Sequence, residues 1–106
     1  MSYDISLEIN TGFEDREVVE IGNMIWNITP MYKKAMGKNL SDFNDKKCAE
    51  IIPILRIGVM EMENNPEKYK EHNPANGWGD YEGALEYLTK LLIGCEENPL
   101  CTVKVG

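Results

Sequence analysis

Two helix starts gather most of the polar and aromatic groups in this chain that could meet a ligand. One reads Asn27, Ile28, Thr29, Pro30, Met31, Tyr32, and the other Asn76, Gly77, Trp78, Gly79, Asp80, Tyr81. The first turn of a helix carries unpaired N–H groups and the positive end of a dipole, so it can hold an anion or a polar ligand. Asn27, Thr29, Tyr32 and Asn76 could add hydrogen bonds, and Trp78 or Tyr81 could stack on a flat group. Arg56 could supply a counter-charge. These seven residues are the candidate ligand- or partner-binding set. A structural use competes with each. Thr29 and Asp80 are cap types that satisfy their own helices, and Asp80 would repel an anion. Trp78 either plugs the open side of the last helix or is held out to a partner. Its flanking glycines give the backbone latitude and the ring little local cover. Trp26 alternates with Met24 and Ile28 and reads as core.

No catalytic residue is assigned. His72 is the single histidine, G-x-S-x-G is absent, and no glycine-rich phosphate loop of the expected form occurs. The carboxylates spread along helix faces, with nothing to select an acid–base pair. Cys48, Cys95 and Cys101 are odd in number and form no C-x-x-C, so they read as reduced, partly buried thiols. Acidic residues near 14–17, 61–63 and 96–97 lack the pattern of a calcium loop. No metal and no cofactor is expected.

The elements that must position these residues are legible in the periodicity. Tyr3, Ile5, Leu7 and Ile9 alternate with Asp4, Ser6 and Glu8, the pattern of a strand with one wet face. Gly12 marks a turn. Val19 and Ile21 share a face, whereas Met24, Trp26 and Ile28 have the opposite parity; a bulge at Gly22 and Asn23 reconciles them. Residues 3–9 and 17–27 therefore form an antiparallel hairpin. Thr29 before Pro30 caps a short helix over 30–36, closed by Gly37. Residues 41–44 read as a polar connector. A helix follows from about Lys46 to Asn64, with Ile52, Leu55, Val59 and Met62 as its buried stripe and Pro53 as a kink or an early position. PEKYKEH reads as a charged turn. The last helix spans Tyr81–Glu96, with Tyr81, Leu85, Leu88, Leu92 and Cys95 inward and Glu86–Lys90 as an i,i+4 pair. Cys101, Val103 and Val105 alternate as a final strand.

The expected fold is one α+β domain over residues 1–106: a small antiparallel sheet, built from the N-terminal hairpin and the C-terminal strand, with about three helices on one face. The final strand is expected beside the first or second. Exposed sheet edges leave room for a homodimer. A net charge of −7 argues against direct nucleic-acid binding and against docking on anionic membranes. It suits solubility, a basic partner, or imitation of a polyanion. The first ten residues do not read as a secretory peptide, and no apolar stretch reaches membrane-span length.

MSYDISLEIN, NMIWNITPMY, IIPILRIGVMEMENNPEKYK and NPANGWGDYEGALEYLTKLLIGCEENPLCTVKV resemble a family of small phage- and prophage-encoded hypothetical proteins with no assigned activity. The most distinctive piece is N-G-W-G-x-Y-E-G, Asn76 to Gly83. The resemblance covers nearly the whole chain and implies a phage-associated accessory protein in the cytoplasm of a bacterial host. The leading functional expectation is a non-enzymatic binding protein that inhibits or modulates a host factor or defence system, with contacts around Trp78 and the acidic helical faces. Two alternatives stand beside it: a sink for a small polar, nucleotide-like signal, and a small enzyme using carboxylates or His72.

Overall fold

The computed structural model describes residues 2–25, 28–70 and 80–106. Strand β1 (Ser2–Asn10) and strand β2 (Asp15–Ile25) form the expected hairpin, and strand β3 (Thr102–Val105) closes a three-stranded antiparallel sheet in the order β2-β1-β3. Helices α1 (Thr29–Met36), α2 (Cys48–Asn64), α3 (Pro66–Lys70) and α4 (Tyr81–Glu97) complete the chain, with a 3₁₀ turn at Leu40–Phe43 between α1 and α2. This is the α+β class the periodicity predicts.

The hairpin register carries two irregularities. Ile5 lies opposite Gly22 but Ser6 opposite Glu20, and Leu7 lies opposite Val19 but Glu8 opposite Glu17. Ile21 and Val18 are thus the extra residues. The first bulge sits one residue before the expected Gly22–Asn23, where Gly22 adopts φ +110°, a region that disfavours a side chain. The second bulge was not foreseen. Together they place Glu17, Glu20 and Asn23, three residues apart, on one face of the sheet.

The other face is the core. Tyr3, Ile5, Leu7, Ile21 and Val103 are buried there beneath the helices. Helix α4 approaches the sheet at Gly94, where an added Cβ would lie 3.0 Å from Ile21 Cδ1 and 3.3 Å from Leu7 Cδ1. Helix α2 crosses its neighbours at Gly58, whose Cβ would lie 3.1 Å from both Leu88 Cδ2 and Met36 Sδ. The tight-packed glycines let two layers close with no room for larger groups.

Several ends differ from expectation for local reasons. Thr29 is the first residue of α1, Ile28 is its cap, and no side-chain cap bond forms; the Thr29 hydroxyl instead meets the Tyr3 hydroxyl at 3.2 Å. The supposed connector after Gly37 is a 3₁₀ turn whose three-residue period buries Leu40 and Phe43 together. PEKYK is a short helix that buries Tyr69. Helix α2 runs through Pro53 unbroken, with Ala49 and Pro53 both exposed, so water can serve the carbonyl that proline leaves unpaired. Its first N–H groups are met by backbone: Cys48 N donates to the Cys101 carbonyl at 2.8 Å and Ala49 N to the Pro99 carbonyl at 3.1 Å. No described helix is long and apolar enough to cross a membrane.

Candidate interaction surfaces

Four of the seven candidate residues are described, and each has a structural duty. Tyr32 is fully buried and its hydroxyl donates to the Ala84 carbonyl at 2.8 Å. Tyr81 is buried and its hydroxyl donates to the Met62 carbonyl. Thr29 belongs to a small polar cluster in which Asn39 Nδ2 donates to the Tyr3 hydroxyl at 2.6 Å and to Ser41 Oγ at 3.0 Å. Arg56 is exposed and pairs with Glu96 at 2.7 Å. Asn27, Asn76 and Trp78 lie outside the described residues, as do His72 and Trp26.

The Tyr32–Ala84 bond does bring the starts of α1 and α4 to the same end of the molecule. The α4 start is already served, however, because Asp80 Oδ1 accepts from Gly83 N at 2.7 Å. A carboxylate in that position opposes a second anion. Lys70 ties α3 to the same end, 3.6 Å from Glu82 and 5.7 Å from the centre of the Tyr81 ring.

The three thiols lie inside the fold. Cys48, Cys95 and Cys101 are free and buried. The Cys95 thiol donates to Cys48, a bond that with burial raises Cys95 and in turn lowers Cys48, while burial raises Cys101. Reactive cysteines are exposed, whereas all three thiols here are buried. Among the described residues no group of three or more His, Cys, Asp or Glu could hold a metal.

Two surfaces remain. The first is the uncovered face of the sheet, a concavity of about 570 Å³ lined by Asp4, Glu8, Asp15, Glu17, Glu20 and Asp45, with Lys104 as the one cation among its described residues. Glu8 and Glu17 are direct cross-strand partners. Like charges in that relation destabilise a sheet. Lys104 is bonded to Asp45, and Glu8 and Asp15 add to that field, so its ammonium is held above the ordinary range. Only the Asp4-Ser6-Glu8 half of this face was legible in the alternation. The β2 half was hidden because Glu17 and Glu20 share a face only through the Val18 bulge.

The second surface is an open groove of about 600 Å³ along α4, lined by Leu85, Thr89, Ile93 and Tyr81 and edged by Glu63, Glu82, Glu86 and Lys90. Leu85 was expected in the core. Tyr81, Leu88, Leu92 and Cys95 are buried as expected, together with Ala84, Tyr87 and Leu91, while Leu85 is half-buried and packs at the margin of the core. Glu86 and Lys90 form no ion pair with each other; the ion pairs among the described residues lie elsewhere.

Comparison with known proteins finds no matching family model, no significantly similar curated protein and no significantly similar solved structure.

Proposed function

We propose that this chain is a non-enzymatic binding protein of the phage accessory type, which modulates a host factor by presenting an acidic sheet face to a basic partner. The observation that carries the reading is the Glu8–Glu17 cross-strand pair within a ring of carboxylates on a face that the helices leave open. Such an arrangement costs folding stability, and a basic partner would offset that cost on binding. The phage and host assignments rest on the sequence resemblance. The cytoplasmic setting follows from the same resemblance, and three unpaired thiols accord with it.

The test is affinity capture from a bacterial host lysate with the natural chain and with a Glu17→Lys, Glu20→Lys variant. A basic protein retained at low salt by the natural chain and lost by the variant supports the reading. Equal retention by both, or retention indifferent to salt, sinks it.

A further inference from the structure

The groove along α4 carries an inference of its own, at the opposite layer from the acidic sheet face. The geometry points to a second docking site whose occupant is a basic amphipathic helix of a partner protein, lying along α4 with its apolar side on Leu85, Thr89 and Ile93. This deepens the binding-protein reading, but it stands on different residues and can fail separately.

The floor is built for contact with an apolar surface. Leu85, Thr89 and Ile93 recur four residues apart, so they form a stripe along one side of α4. From Tyr81 to Ile93 the groove runs for about 18 Å at the usual helical rise. Ile93 is 49% exposed, and Leu85 is half-buried. Thr89 would ordinarily oppose desolvation, but its hydroxyl donates to the Leu85 carbonyl at 2.7 Å. A partner can therefore cover this position without stranding a polar group.

The rim specifies charge. Glu63 and Glu86 have no ion-pair partner among the described residues, and Glu82 spends its charge weakly on Lys70 at 3.6 Å. Lys90 is the one cation among the described residues that line the groove. Three carboxylates against the ammonium groups of Lys90 and Lys70 leave the described rim net acidic and favour lysine or arginine flanking the partner's apolar stripe. A straight stripe on a helix surface suits a helix laid alongside it, with anchors spaced three or four residues apart.

The probe is a synthetic amphipathic helix of about fourteen residues, long enough at about 21 Å to span the groove. Leucines occupy one face and lysines flank them. Its counterpart carries glutamate in place of lysine. The basic peptide is expected to bind roughly tenfold more tightly than the acidic one, and Ile93→Ser is expected to weaken it about tenfold, the scale of one half-buried isoleucine. Glu86→Lys should weaken the basic peptide and strengthen the acidic one. Glu17→Lys, on the sheet, should leave peptide affinity within about twofold. Circular dichroism and thermal melting confirm that these surface variants stay folded. Equal binding of both peptides, or no loss with Ile93→Ser, overturns the proposal. So does self-association through Leu85 and Ile93 in sedimentation, which would make a second copy the occupant. Nuclear Overhauser contacts between the Ile93 methyls and an indole of the free protein would also overturn it, because the groove would then be filled from within.

Discussion

At the scale of residues, the aromatic hydroxyls explain much of what a functional reading of types alone would misplace. Tyr32 and Tyr81 look like ligand contacts at helix starts, yet each spends its hydroxyl on a backbone carbonyl of another element. Tyr32→Phe removes a buried bond to the Ala84 carbonyl, which keeps its partner within α4, and should lower stability by about 1 kcal/mol in urea unfolding. The buried tyrosines also set an alkaline limit. Burial, and then the bond to Glu61, push Tyr69 up to about 12; burial raises Tyr32 and Tyr87 further. A raised native value means that the folded chain holds the proton more tightly than the unfolded chain. The stabilisation is complete below about pH 10 and is lost as pH climbs through the native values, by up to about 1.4 kcal/mol per tyrosine per pH unit. Denaturant midpoints should begin to fall near pH 10 and decline steadily to pH 12; a flat profile would show that these hydroxyls ionise as freely in the fold as outside it.

At the scale of elements, close approach and bulges decide the layout. Gly58 has Leu88 and Met36 at contact distance on the far side, so Gly58→Leu should overpack the crossing of α1, α2 and α4. The expected loss is about 2–3 kcal/mol, read by denaturant unfolding. Gly22 has open space around it but sits at φ +110°, so Gly22→Ala should cost about 1–2 kcal/mol through backbone strain alone. A neutral Gly22→Ala would mean that the bulge does not depend on glycine. The periodicity located the hairpin, the two long helices and the last strand. It missed the 3₁₀ turn because three-residue periods are too short to stand out, and it did not show that Leu85 lies at the edge of the buried face of α4 rather than within it.

At the scale of the whole molecule, charge is the dominant feature, and its distribution matters more than its sum. Carboxylates cluster on the open face of the sheet, where Glu8 and Glu17 oppose each other. Glu17→Gln should therefore raise stability by roughly 0.2–1 kcal/mol while weakening capture of a basic partner. Opposite signs in the two measurements mark a face kept for binding. A change of the same sign in both, or of neither, would reduce the pair to an ordinary surface feature.

The sequence by itself determined the class of fold, the order of its strands and of α1, α2 and α4, and the acidity of the chain, because these follow from local periodicity, turn chemistry and composition. It also marked where glycine and proline punctuate the chain. The tertiary structure decided which acidic groups share a face, which tyrosines are spent inside, and which apolar positions on α4 stay open. Those properties depend on bulge position and on the rotation of α4 against the sheet and α2. Both are settled by long-range packing at Gly94 and Gly58, which no window of sequence contains.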